Sequence, residues 1–216
     1  MPVDAGDVSR PPLSPTPRTV VNRHRERAAT DRAALDDVLD SGLICHLGVL
    51  FDGAPVVLPT GYGRDGDTLY LHGSTGSRSM GPGPVCVTVT IVDGIVYARS
   101  VMHHSMNYRS ACVLGTTRLV DDAEEKLRGL KVVTEHLAPG SWDHARLPNK
   151  KELAATVVLA LDLTEASVKI RNAPPSDEDF DVEANTAWAG VLPLSTAWGK
   201  PEPDSPLPVP EHVLNR

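Results

Sequence analysis

The stretch "VCVTVTIVDGIVYARSVMHH", Val85 to His104, decides the fold. Val85, Val87, Val89 and Ile91 alternate with Cys86, Thr88 and Thr90. A period of two puts the first set on one face of a strand and the second on the other. Asp93-Gly94 then separates two apolar runs, and that dipeptide accepts the positive φ of a tight hairpin, so a turn is expected there. The same pattern lies upstream. Asp52-Gly53 divides "LICHLGVLFDGAPVVLPTGYG", Leu43 to Gly63, and a further Asp-Gly pair opens "GRDGDTLYLHG", Gly63 to Gly73. Downstream, "NYRSACVLGTTRLVDD" from Asn107 reads as another long strand. Leu43 to Val120 is therefore expected to be a meander of roughly six antiparallel strands. So many strands with few helices suggest a closed or nearly closed barrel, which removes exposed edges.

Helices flank the meander. Thr30 or Asp31 can cap a helix whose Ala34, Leu35, Val38 and Leu39 share one face, with Gly42 as its stop. A second helix is expected from Asp121 or Asp122, with Glu124 and Glu125 in its first turn and a stripe of Ala123, Leu127, Leu130, Val133 and Leu137. "LPNKKELAA" suggests a short helix, and "TVVLALDLTEASVKIR" returns to strand. The acidic run Asp177 to Glu183 reads as a solvated connector. Residues 1–25, rich in Pro, Arg and polar side chains, are expected to be a disordered arm. Residues 26–199 are expected to form the domain, and residues 200–216 a Pro-rich tail lying across a surface.

The chain has 216 residues and a formal net charge of -7. That balance argues against a nucleic-acid partner, which needs clustered cations. No run is long and apolar enough for a membrane span, and the N-terminal stretch lacks the apolar core of a secretory signal. Cys45, Cys86 and Cys112 form no C-x-x-C pair and read as small buried hydrophobes in a reducing cytoplasm.

Four segments carry candidate chemistry. In "LYLHGSTGSRSMG", Leu69 to Gly81, a strand ends at His72 and runs into Gly73, Ser77, Arg78 and Ser79. Glycines free backbone amides, hydroxyls donate, and Arg78 offers a forked cation, a combination suited to phosphate. "HHSMNYRS" brings Tyr108, Arg109 and Ser110 to the start of a strand, again suited to an anionic or ring-bearing ligand. Its adjacent His103 and His104 would point to opposite faces, which disfavours a metal site. "PTGYG", with Pro59, Thr60, Gly61 and Tyr62, breaks the ladder and can turn backbone toward a ligand or simply bend the barrel. "WAGVLPL" places Trp188 beyond the acidic run, where it packs on the barrel, a partner subunit or a planar ligand. No G-x-S-x-G elbow supports a serine hydrolase.

Together these segments resemble the FMN-binding split-barrel superfamily, the antiparallel split barrel of pyridoxamine 5'-phosphate oxidase, and within it the flavin-nucleotide-binding branch that includes nitroimidazole-resistance proteins. The resemblance runs from about Arg25 to about Pro201 and rests on Ile44 to Arg78, His103 to Asp122 and Trp188 to Leu194. It implies a mainly β fold with flanking helices and a homodimer with two flavin sites at the subunit interface. Gly76, Ser77, Arg78 and Ser79 take the positions of the oxidase's Gly-Ser-Arg-Lys phosphate loop. His72 and Gly73 match the strand end near the flavin, Val57 to Tyr62 match the strand along its ring, and Ser110 after Arg109 matches a flavin-contacting Gln. Trp188 matches the segment that closes the site. Ser79 stands where the oxidase has Lys, and its C-terminal Arg-x-His motif is absent. The resemblance therefore implies weaker FMN binding or another flavin-like cofactor, and no pyridoxamine-phosphate oxidase activity. A histidine at the position of His72 is implicated in reactivity in the resistance relatives, so His72 is the expected catalytic side chain. The expected function is an FMN-dependent oxidoreductase acting on a small molecule. A flavin- or haem-binding protein without turnover and a deazaflavin-dependent reductase are the alternatives.

Overall fold

Asp31 accepts a hydrogen bond from the Ala34 amide at 2.7 Å and starts helix α1, Arg32–Ser41. Leu35, Val38 and Leu39 are fully buried, as their spacing requires. The computed structural model that shows this describes residues 10–13 and 15–216, so residues 1–9 and 14 of the expected arm lie outside the described residues. The described part of that segment lies against the domain. Leu13 is buried, and its amide donates to the Thr30 carbonyl at 2.6 Å. Arg10 donates to Asp36 at 2.6 Å, and Arg18 reaches Glu165 at 3.1 Å.

After the short strand β1, Ala28–Ala29, and α1 come β2, Cys45–Phe51; β3, Ala54–Thr60; β4, Tyr62–Asp65; β5, Thr68–Ser74; β6, Gly83–Tyr97; and β7, Ser105–Leu119. The strands expected between Leu43 and Val120 are β2 to β7. Helices α2, Ala123–Leu137; α3, Ser141–His144; and α4, Lys150–Ala154 follow. Strands β8, Thr156–Asp162, and β9, Ala166–Arg171, divide the last long apolar run. Helix α5, Asp179–Ala184; strand β10, Gly190–Pro193; and helix α6, Glu211–Leu214, complete the chain. Asp52 and Gly53 have φ of 50° and 81°, as a tight β2–β3 hairpin demands.

The ten-stranded sheet has the main order β3-β2-β6-β7-β8-β5-β4, with β9 on β7, β1 on β9 and β10 on β6. Its ends, β3 and β4, are separated in sequence only by Gly61, yet the sheet does not close. This is the split form of barrel, mostly antiparallel with helices at its flanks. The main core lies between α1 and the inner faces of the strands, around Leu47, Leu71, Val87, Val113 and Leu161. A second core lies beneath α2, where Val133 meets Tyr70, Val120 and Val158. Leu127, expected on the apolar stripe of α2, is instead exposed. Gly63 lets α2 lie close to β4: a Cβ there would sit 2.6 Å from the Val132 carbonyl oxygen.

Three further expectations change. No turn occurs at Asp93-Gly94: β6 continues to Tyr97, and the register with β7 shifts between Val92 and Gly94. The extra residue is absorbed as a bulge because pairing with β7 and β10 holds both sides of it. Asp177 is not part of a solvated connector: its side chain is 2% exposed and accepts from the Arg99 amide at 2.8 Å and guanidinium at 3.0 Å. Cys45 is buried, but Cys86 and Cys112 are only half-buried, on the outer face of β6 and β7, with their sulfurs 3.5 Å apart.

Candidate functional site

Alternation along β5 positions the first group. Leu69 and Leu71 point into the main core, while Tyr70 and His72 point toward the helical side. His72 pairs with Val158 of β8 and lines a cavity of about 290 Å3. Leu130 of α2, Trp142 of α3, Leu147 and Pro148 supply its apolar walls. His72 is exposed as a residue, but partial desolvation by these groups pushes the imidazole below its ordinary pKa. At neutral pH the ring is therefore uncharged and keeps a free nitrogen lone pair. Arg146 also lines the cavity, with both ends of its guanidinium on Glu152 at 3.0 and 2.6 Å.

The loop after His72 turns away from that cavity. The Met80 side chain folds over Gly73. Ser77 and Ser79 hydroxyls lie 2.9 Å apart, and Arg78 reaches back to the β2–β3 turn. Its guanidinium meets Asp52 at 3.1 Å and lies 5.3 Å from the centre of the Phe51 ring. Both members of that ion pair are exposed, at 72% and 89%, so a competing anion displaces it at little cost. Arg78 and Ser79 also line a small cavity of about 160 Å3 with Phe51 and Pro84.

Other sequence candidates are committed elsewhere. Tyr62 is completely buried, and its hydroxyl donates to the carbonyls of Leu39 and Gly42 at the end of α1. Burial pushes the phenol well above its usual pKa. Pro59 is exposed on the edge strand β3, Thr60 is buried opposite Cys45, and Gly61 abuts Leu137. Arg109 grips Asp93 at 3.1 and 3.2 Å and Asp37 at 2.9 Å, which ties the β6 bulge to α1. Tyr108 and Ser110 are half-buried on β7, opposite Val92 and Thr90. Trp188 is 68% exposed, 5.8 Å from the ring of Tyr97, which in turn meets His104. Within one chain, the structure thus joins His72 with the start of the Arg78 loop. It leaves Tyr108 to Ser110 and Trp188 in separate places.

The sequence reading missed the His72 cavity wall. Trp142, Leu147 and Pro148 come from a helical connection about seventy residues downstream, and no periodic signal links them to β5. It also missed Asp177, whose backbone and side-chain partner Arg99 is 78 positions away. Although burial opposes its charge, hydrogen bonds from Arg99 and Ser100 hold its carboxyl below the ordinary value. Among the described residues, no group of three or more His, Cys, Asp and Glu side chains could hold a metal ion, and no helix is long and apolar enough to cross a membrane.

The family described as pyridoxamine 5'-phosphate oxidase matches residues 31–170. No curated protein matches the chain. Two solved structures are similar over nearly the whole length. The flavocytochrome Anf3 from Azotobacter vinelandii is 36% identical, with a TM-score of 0.87 over 94% of this chain and 98% of that one. An FAD and heme binding protein from Mycobacterium smegmatis is 39% identical, with a TM-score of 0.82 over 88% and 96%. A candidate 5-nitroimidazole antibiotic resistance protein from Bacteroides thetaiotaomicron shares the fold at 22% identity and a TM-score of 0.57, covering 66% of this chain and 86% of that one.

Proposed function

Because the chain belongs to the pyridoxamine 5'-phosphate oxidase family, we propose that it is a flavin-dependent redox protein that also carries haem. The observation that carries this reading is His72: a neutral imidazole directed into an apolar-walled cavity. That donor set suits the iron of a planar, largely apolar ring, since imidazole is a common axial ligand. The likeness to a flavocytochrome and to an FAD and heme binding protein, each above 35% identity over most of the chain, supports it. When bound, the two groups supply hydride and one-electron chemistry. The chain's own part is to bind, orient and shield them. His72 would hold the haem iron, while Leu130, Trp142 and Leu147 would pack against the ring and limit water on that side.

The flavin phosphates are assigned to Ser77, Arg78 and Ser79, with Asp52 released from Arg78 on binding. FAD is favoured over FMN. The pyrophosphate of FAD carries one charge per phosphate, whereas a terminal monophosphate carries nearly two and calls for more than one cation. Thr60, Tyr62 and Arg109 are taken up by the fold, and the remaining expected contacts, Pro59, Tyr108, Ser110 and Trp188, do not converge in one chain. A homodimer supplies them across its interface. The exposed side chains of Leu50 and Val57 on the outer sheet face fit that arrangement. Three free cysteines fit a cytoplasmic location.

The absorption spectrum of the purified protein tests the reading. Flavin bands together with a Soret band are expected. Replacing His72 with Ala should abolish the Soret band and leave the flavin bands. A colourless protein that takes up neither FAD nor haem on titration overturns the proposal. Flavin bands alone return the earlier expectation of a flavin oxidoreductase with a catalytic His72, and extraction of the chromophore distinguishes FAD, FMN and deazaflavin.

A further inference from the structure

We propose that the groove between the C-terminal end of α2 and residues 194–216 binds a small planar organic anion, of the aromatic carboxylate class. Two cavities, of about 370 and about 540 Å3, meet there and share Pro139, Trp198 and Arg216 as walls. Neither contains His72 or the Arg78 loop. Trp198 is 57% exposed. The Arg216 guanidinium stacks over it at 4.6 Å, and its Nη1 is buried without a hydrogen-bond partner. A buried donor without an acceptor is costly, and a carboxylate oxygen is its natural complement.

The charges around the groove favour an anion. Lys200 lines it beside Arg216. Asp40 lies on its other wall, but Arg64 takes that carboxylate at 2.9 Å. Leu43, Ile44 and Leu194 supply an apolar floor for a ring. The wall is also fixed in place. His212 of α6 packs so closely on Gly140 that a Cβ there would lie 2.8 Å from its own, and its ring meets His144 at 5.0 Å. Arginine stacked on an aromatic face, in a residue that lines both cavities, is an arrangement suited to planar carboxylates.

Titration of the full-length, cofactor-loaded protein with 2-naphthoate and its neutral analogue 2-naphthamide, read by saturation-transfer NMR, tests this. The carboxylate should bind at least about tenfold more tightly than the amide, the scale of one charge-assisted hydrogen bond. Arg216→Gln should erase that preference, and Trp198→Leu should weaken both ligands. The cofactor absorbance should stay unchanged in both variants. Equal affinity for the two ligands, a preference that survives Arg216→Gln, or no binding at millimolar naphthoate overturns the proposal. Displacement of a bound cofactor by naphthoate also overturns it, because the groove would then belong to the cofactor site. The assignment does not depend on which cofactors the protein carries.

Discussion

The residues that suggest ligand binding fall into two regions with opposite fates. Around the end of α1, Tyr62 and Arg109 are consumed by the fold: the phenol serves two helix carbonyls, and the guanidinium serves two carboxylates. At the rim of β5, His72 and Arg78 are left available, one by desolvation without a charged partner and the other by a weak exposed ion pair. The residue types are the same kinds of donor in both regions. Availability is set by what else lies within hydrogen-bond reach, and that depends on chain segments far away in sequence.

Affinity and stability measurements can break this contrast. The largest effect is expected at Arg78. Its replacement by Ala should weaken flavin binding by about 1.5–3 kcal/mol while leaving the unfolding midpoint unchanged. Unaltered affinity in equilibrium titration would make Arg78 a solvated surface charge. Tyr62→Phe should do the reverse, with a loss of about 1–2 kcal/mol in urea unfolding and no specific loss of flavin affinity. A flavin defect at full stability would move Tyr62 into the open region. Arg109→Gln should cost about 1 kcal/mol or less, because its ion pairs are partly exposed, again with flavin affinity retained.

The smallest effect concerns pH. Burial lowers the His72 pKa from 6.5. The unfolded imidazole therefore takes up a proton before the folded one does. The stability contribution is complete above the unfolded value and declines as pH falls through the folded one. In the cofactor-free protein, unfolding midpoints at about pH 7.5 and about pH 5 should converge slightly in His72→Gln relative to the parent. Identical differences in the two proteins would show that the ring titrates normally.

The fold was more legible than the site. Alternation at Val85 to Ile91 and the Asp52-Gly53 signal depend on neighbours in sequence, and both describe the structure correctly. Asp93-Gly94 carries the same local signal, yet flanking strands on both sides override it. The loop at Arg78, proposed above for the flavin phosphates, stands out in composition, because anion chemistry needs those residue types. The wall of the His72 cavity could not, since Trp142 and Leu147 are ordinary apolar residues until α3 and the following connection fold over β5.

The pairing of β5 with β8 sets an order of events in the life of the chain. Register contacts from Thr68–Asp162 to Ser74–Thr156 span more than eighty residues, so this part of the sheet waits for the second half of the molecule to be made. Such non-local closure is slow compared with helix formation. The His72 cavity cannot exist on a nascent chain that ends before β8. A group held there would be acquired only after synthesis has passed that strand, and a truncation before Thr156 would leave the Arg78 loop without the pocket at His72.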